Sequence, residues 1–465
     1  MSKIADDLRR ELGEWVRCDE AALAAHRADA WVMAELAALE GNARPLPIAV
    51  LEPGSTEEVA RALRSCRARR LPIVAYGGGS GVCGAIEPGA GAVVLSTRRL
   101  SGLVHLDAYD LTACFRAGTL GIEAERRVQQ DGLTIGHWPQ SIEISSVGGW
   151  IATRASGQYS TGYGGIEDLV LALEAVLPDG SVLRTRETPR AAAGPDLRQV
   201  LLGSEGTLGV VTEVTFSLRP LPPARRGQAF HFDGFRAGLD PIRRLLRAGW
   251  RPPVARLYDP RESRRHFRDH CPSGRALLLL LHEGPEAAVA AESAAAALLC
   301  REAGGVETDA AAVDHWLARR NQVASFRSFL EQGVVVDTIE VAATWRRVGA
   351  LYERVTAALG EVEGILAASA HSSHSYRSGT NLYFSFAAKP AGDRLAATYA
   401  ECWRRTLEET LAAGGGIAHH HGVGRVRRAW LARELGDAGI ALLRSLKGAL
   451  DPDGLMNPGN LLPGE

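Results

Sequence analysis

Apolar residues recur at helical spacing from Ile4 to Leu39: Ile4, Leu8, Leu12 and Trp15, then Leu23, Trp31, Met33 and Leu36. That period predicts one or two amphipathic helices, stopped before Gly41 and Pro45. The texture then changes. "PIAVLEP" and "LPIVAYGGGSG" are short β-rich runs with a helical stretch, Thr56–Arg69, between them, the pattern of a βαβ unit. Short strands and glycine turns continue through Val211, until Pro220, Pro222 and Pro223 interrupt both helix and central strand. From Arg226 to Glu434 strand-like runs (Ala229–Phe232, Ala276–Leu281, Val334–Glu340, Asn381–Phe386) alternate with helices (Glu286–Ala303, Trp345–Leu359, Asp393–Ala413). A helix over Ile440–Leu450 and the turn-rich "DPDGLMNPGNLLP" close the chain. The expected class is α+β, divided into a helical segment 1–43, a glycine-rich domain 44–223, a second α+β domain 224–439 and a tail 440–465.

Composition narrows the function classes. A chain of 465 residues is long enough for two or three domains. Its apolar share of 46% and charged share of 23% are those of a soluble globular protein. The net charge of −1 excludes a general electrostatic footprint for nucleic acid, so any bound anion needs a local site. Seven scattered cysteines without a CxxC pair read as reduced, structural thiols. Acidic residues at Asp6, Asp7, Glu11 and Glu14 do not suit a signal or transit peptide, so the expected location is cytoplasmic.

The candidate chemistry starts with glycine. Gly77-Gly78-Gly79-Ser80-Gly81, followed by Gly84, leaves a strand with a backbone free to turn sharply and to aim successive N–H groups at an anion such as a pyrophosphate. It is neither a GxGxxG fingerprint opening a helix nor a Walker loop. One such loop alone reads better as a flexible surface turn. A second tract runs from Pro139 to Val170, with Ser141, Ser145, Ser146, Gly148, Gly149, Thr153, Ser156 and Gly157, where a large planar cofactor can lie on backbone. A third, with Glu205, Gly206, Gly209 and Val210, enters another strand.

In this order the tracts resemble the FAD domain of the vanillyl-alcohol-oxidase/p-cresol-methylhydroxylase (PCMH-type) family. The resemblance covers Pro45 to Pro463. It implies a two-subdomain FAD-binding domain, an α+β cap with an antiparallel sheet, and a tail, including Asn457, that returns to the flavin domain. "SSVGGWIATRASG", "GGIEDLV", "GSEGTLGVVTE" and "HHHGVGRVRRAWL" are closest in wording to the alkyldihydroxyacetonephosphate synthases. Lactate- and glycolate-dehydrogenase relatives carry a "GDGN" segment where this chain has "HSSHSYRSGTNLYFSF". No histidine flanks the first-loop glycines, and Cys83 reads as packing, so noncovalent FAD is expected.

The resemblance also assigns roles. Tyr376 and the run His419-His420-His421 match catalytic positions of the synthases, and Arg256 and Arg327 match arginines of their substrate cavity. Guanidinium groups suit a phosphate or carboxylate because they form paired, charge-assisted hydrogen bonds. Adjacent histidine side chains diverge, so no metal is expected and acid–base work is the better reading. The implied reaction exchanges the acyl group of acyl-dihydroxyacetone phosphate for a fatty alcohol through a flavin adduct, with His420 as base. The alternative is FAD-linked oxidation of a 2-hydroxy acid or another alcohol. A small-molecule or lipid-like substrate, no nucleic acid and a homodimer are expected; peripheral membrane contact is left open, because no strongly basic amphipathic helix is evident.

Overall fold

The computed structural model describes residues 3–323 and 325–464. Two larger sheets and a short antiparallel pair, Leu133–Thr134 with Arg219–Pro220, build the glycine-rich part. Ala49–Leu51, Val93–Ser96 and Ile73–Tyr76 are parallel neighbours, with Val16–Arg17 added antiparallel at the edge. The crossover helix Thr56–Ala68 is capped by Ser55, whose hydroxyl accepts from the Glu58 N–H, and buries Val59, Leu63 and Cys66 against this sheet. The second sheet is antiparallel, in the order Leu103–Asp107, Thr112–Arg116, Val210–Ser217, Val170–Val176, Val182–Arg184.

A seven-stranded antiparallel sheet forms the other half: Val306–Thr308, Ala224–Phe232, Ala276–Gly284, Val254–Tyr258, Ile365–Ser372, Gly379–Ala388 and Val335–Thr344. Successive strand residues face opposite sides. Ala255 and Leu257, Ala276, Leu278 and Leu280, Ala368 and Ala370, and Leu382, Phe384 and Phe386 share one core with the helices Phe235–Arg247, Glu286–Glu302, Trp345–Gly360 and Leu395–Ala412. The alternate positions (Arg256 and Tyr258, Ser369 and His371, Tyr383 and Ser385, Thr338 and Glu340) therefore face away from those four helices, toward the glycine-rich half. Covering one face leaves the other for polar work.

The tail returns to the parallel sheet. Ile73 donates to the Leu455 carbonyl, Asn457 donates to the Ile73 carbonyl, and Lys447 joins Asp451 to the carbonyls of Thr207 and Met456.

Three local expectations are corrected. The N-terminal segment forms three helices, Lys3–Leu12, Glu20–Ala25 and Val32–Leu39, because Gly13 (φ 102°) turns the chain and Asp19 caps a new start. The last helix begins at Arg428, not Ile440, and breaks at Gly436, whose φ of 70° is left-handed. Val254–Tyr258 and Ile365–Ser372 are strands that the alternation did not single out. The first is buried at every position, so its sequence shows no polar face to solvent.

Candidate active site

One cavity of about 1390 Å³ lies between the halves. A single ligand pocket is roughly 300–1,000 Å³, so this one has room for a large cofactor and a substrate together. Its floor is built by the glycine tracts: Gly77 to Gly81, Pro139, Ser141, Ser145, Ser146, Gly148, Gly149, Thr153, Ser156, Glu205, Gly206, Gly209, Val210 and Asn457 all line it.

The first loop leaves Tyr76 and lies directly on the second tract. A Cβ on Gly78 would stand 1.9 Å from the Ile144 carbonyl oxygen, and one on Gly77 would stand 2.4 Å from the Ser146 hydroxyl. Among the described residues, none of the amide N–H groups from Gly77 to Val82 donates to a backbone or side-chain acceptor. Such a run of free donors is a nest for an oxyanion. Asn457 donates to the carbonyls of Ala85 and Glu205, and its Oδ1 is buried without a partner. These features fit a dinucleotide with a pyrophosphate and a polar ring edge.

The roof is the polar face of the seven-stranded sheet. Its register aligns Tyr258, His371, Tyr383 and Glu340 in one row across four strands. The Tyr383 ring stacks on His371 (4.8 Å between centroids) and runs parallel to His420 at 6.1 Å. Glu340 ends the row, fully buried with Arg427 and ion-paired to it. Burial alone would raise this carboxyl, but Arg427 and then His421 reverse that and hold it well below the usual range. Its Oε1 accepts the backbone N–H groups of His419 (3.3 Å), His420 (3.4 Å) and His421 (3.0 Å). Arg427 is held further by the Gly422 carbonyl, the Cys83 sulfur and the Trp403 ring. Glu205 clamps the next turn, accepting from Val423 (2.6 Å) and Gly424 (2.9 Å).

That clamp decides where the imidazoles go. His421 turns its Nδ1 to within 2.9 Å of Glu340. His419 and His420 do not diverge, as adjacent side chains were expected to do. Their Nδ1 atoms are 2.8 Å apart, because the shared carboxylate curls the backbone around itself. The Tyr376 hydroxyl completes a chain by bonding His419 Nε2 at 2.8 Å. His374 packs beside the pair with its Nδ1 on the Ser160 hydroxyl (2.7 Å), and its Nε2 has no hydrogen-bond partner among the described residues. Nitrogens of His374, His419 and His420 lie within 4.8 Å of one another. Burial, then neighbouring imidazoles (His421 and His419 for His420, His420 and His419 for His374), lowers His420 and His374 well below ordinary histidine, and burial brings His419 to about 4. They are neutral at pH 7, which leaves the lone pair of an unpartnered ring nitrogen such as His420 Nε2 open toward the cavity.

Comparison with known proteins places this geometry. Residues 221–461 match the model for the C-terminal domain of FAD linked oxidases, and residues 47–186 match an FAD binding domain. The chain belongs to the FAD-linked oxidases. It is 34% identical to an uncharacterized FAD-linked oxidoreductase of Escherichia coli (strain K12), YgcU, over 90% of each chain. It is 30% identical to the alkyldihydroxyacetonephosphate synthase of Dictyostelium discoideum over 91% of this chain and 74% of that one. The glycolate oxidase subunit GlcD of Bacillus subtilis (strain 168) is 27% identical over 90% of this chain and 89% of its own. A solved alkyldihydroxyacetonephosphate synthase superposes with a TM-score of 0.82 at 26% identity, covering 97% of this chain and 85% of that one. p-Cresol methylhydroxylase shares the fold, with a TM-score of 0.78 at 17% identity over 99% of this chain and 96% of that one.

FAD is therefore the cofactor of this FAD-linked oxidase, and the residue placements can be read against it. His420 and His421 line the cavity; His419 and Tyr376 stand behind them and reach it through His420. Gly84 and Gly157 lie outside the lining and serve packing: a Cβ on Gly84 would strike the Trp31 ring, and one on Gly157 the Trp138 amide. Cys83 is buried against Arg427. Arg256 lines the cavity, donating to the Tyr258 hydroxyl and to His371 Nε2, whose Nδ1 meets Glu262 at 2.8 Å. Arg327 does not reach it. It sits in the first turn of a short surface helix, half exposed, and pairs with Glu331 one turn on. Sequence reasoning missed His374, Tyr383, Glu340, Glu262 and Arg320. His374 had a visible signal, a second histidine three residues after His371; the others come together only across strands.

The Gly78 contact carries a direct test. Gly78→Ala is expected to abolish flavin retention, read as the FAD-to-protein absorbance ratio after gel filtration, because backbone meets backbone and neither can move aside. A wild-type ratio would show that the loop is not the cradle.

Glu262 carries a second. Burial raises this carboxyl, but His371 and Arg265 outweigh that and hold it at about 2, against 4.5 when free. A depressed carboxylate stabilises the fold above its unfolded value and stops doing so as pH falls through the folded one. The difference in urea midpoint between wild type and Glu262→Gln is therefore expected to be full above pH 4.5 and to shrink toward pH 2. A difference that widens on acidification contradicts the assignment.

Proposed function

We propose that this FAD-linked oxidase acts on an anionic small-molecule or lipid-like substrate at a carbon bearing oxygen, and that its reaction is exchange of the acyl group of an acyl-dihydroxyacetone phosphate for a fatty alcohol. The observation that carries this reading is the hydrogen-bonded chain Tyr376–His419–His420, which ends on an unpartnered, neutral His420 Nε2 at the cavity wall.

FAD, when bound, would supply an electron-accepting ring that takes up the electron pair left on the deprotonated carbon while the carboxylate leaves and the alcohol oxygen arrives. Arg256 binds the anionic head group and sets the carbon's position. His420 Nε2 removes the proton from that carbon, and the Nδ1–Nδ1 contact lets the charge be shared with His419 and the Tyr376 hydroxyl. The ester C–O bond breaks and the carboxylate leaves. His421, held by Glu340, takes the alcohol's proton as its oxygen forms the new C–O bond, and His420 returns the proton to carbon. The exchange is redox-neutral overall. Support comes from the synthase relatives and from the retained "HHHGVG" run.

A second reading is supported by the glycolate oxidase relative: oxidation of a 2-hydroxy acid, with Arg256 on the carboxylate and His420 taking the hydroxyl proton. An anaerobic absorbance spectrum separates the two. The flavin is expected to be released by acid, as noncovalent binding requires. Bleaching by palmitoyl-dihydroxyacetone phosphate, reversed by a fatty alcohol with an ether product, is the expected result. Bleaching by a 2-hydroxy acid with none by the ester selects the second reading.

A further inference from the structure

Two guanidinium groups face the same indole in the wall of the cavity. Arg256 Cζ stands 5.4 Å from the Trp316 ring centroid and Arg320 Cζ stands 6.0 Å from it; both residues line the cavity. Arg320 is also enclosed by the rings of Trp138 (4.8 Å) and Tyr159 (5.1 Å). Its Nη1 is buried without a hydrogen-bond partner, and among the described residues no carboxylate forms an ion pair with it. The Nη1 of Arg256 is likewise free, since Nε serves Tyr258 and Nη2 serves His371. The acids whose charge reaches Arg320, Glu283 and Glu125, are engaged elsewhere, Glu283 by Arg225 and Tyr163 and Glu125 by Gln129, Thr134 and the Ile135 N–H. Glu262 is one imidazole removed from Arg256 and is shared with Arg265, Ser385 and Ser369.

An aromatic box around a cation with an unsatisfied N–H is an expensive arrangement if its role is structural. Buried charges are ordinarily paired, and a lone one is better replaced by an apolar side chain. The same arrangement is economical if an oxyanion arrives. The flat guanidinium is already oriented by stacking, and paired N–H···O bonds form without further ordering.

We propose that Arg320, seconded by Arg256 across Trp316, is the oxyanion subsite of this cavity and sets the enzyme's preference for an anionic head group. The proposal rests on the cavity being the substrate site, but its test needs no turnover. Arg320 follows Arg319 at the end of the helix Ala311–Arg319, seven residues before the arginine singled out from sequence, and it reaches the cavity where Arg327 does not.

The experiment is a thermal-shift and flavin difference-spectrum titration of the holoenzyme with inorganic phosphate and, separately, with acetate. Wild type, Arg320→Met, Arg320→Lys and Arg327→Met are compared. Wild type is expected to bind phosphate saturably with a rise in Tm. Arg320→Met should keep the wild-type FAD ratio and a Tm without phosphate at least as high as wild type, and should lose phosphate affinity by tenfold or more. Arg320→Lys, which keeps the charge and loses the fork, should fall between; Arg327→Met should match wild type. Acetate binding in place of phosphate, lost in the same variants, keeps the subsite and makes its natural ligand a carboxylate. Equal phosphate and acetate affinities in wild type and both Arg320 variants, or no binding of either anion by wild type, overturns the proposal. A lower Tm for Arg320→Met without any anion would mark the residue as structural and overturn it too. Failure of the exchange reaction with the anion titrations intact would remove the proposed activity and leave the subsite.

Discussion

Replacing His420 with alanine is expected to leave FAD bound and to slow turnover by about 10²- to 10⁴-fold, the range for removal of a positioned general base. The ring lies against the cavity and makes no hydrogen bond that supports the glycine cradle, so the flavin-to-protein ratio should stay at the wild-type value. Burial is the first cause that lowers its pKa, followed by the neighbouring His421 and His419. A base so lowered is active in its neutral form throughout the neutral range. The acid limb of kcat/KM in wild type should accordingly lie below pH 6.5, the ordinary histidine value, and it should be absent from the residual rate of His420→Ala. His419→Ala should cost less, because it removes the relay and leaves the base. Flavin loss in His420→Ala, or a variant within twofold of wild type, would reassign the base to His374, whose Nε2 is also free at the cavity wall.

The second large effect is on the fold. Glu340 and Arg427 are both at 0% exposure, and removing one partner of such a pair strands the other charge in the interior. Glu340→Ala is expected to destabilise the protein by about 3–5 kcal/mol, read as a fall in the urea midpoint. The loss should exceed that for a surface pair such as Arg327–Glu331, where at most about 1 kcal/mol is at stake. The double variant Glu340→Leu/Arg427→Met tests the cause, because replacing both charges with apolar groups removes the stranded cation and should restore much of the stability. Activity should not return with it. Glu340 also accepts the three amide N–H groups that curl His419 to His421, and leucine accepts none. If the double variant is no more stable than Glu340→Ala, the charge pair is not the source of the loss.

The contrast between Arg327 and Arg320 shows how far the site could be read from sequence. Both are arginines in a polar stretch after an amphipathic helix, and nothing local separates them. The one that matched a family position pairs with Glu331 on the surface, and the other turns into an aromatic box assembled from Trp138, Tyr159 and Trp316. Tyr376 and the three histidines were identified by motif, yet their convergence was not. Adjacent side chains normally diverge, and here a carboxylate from a strand about eighty residues earlier overrides that tendency.

What the sequence determined alone is the part governed by local backbone chemistry. The glycine tracts are legible because a Cβ at Gly78 or Gly77 would collide with neighbouring chain, and Gly79 needs a φ of 69° that other residues rarely adopt. The alternation of strands and helices follows from short-range periodicity. The row Tyr258–His371–Tyr383–Glu340 was decided only by the tertiary structure, because it depends on the register of four strands drawn from residues 254–388. A one-residue slip in any of them would turn those side chains into the helix-packed core. The apolar faces of the strands, buried under the cap helices, hold that register, and so they place the base, the buried pair and the arginines around one cavity.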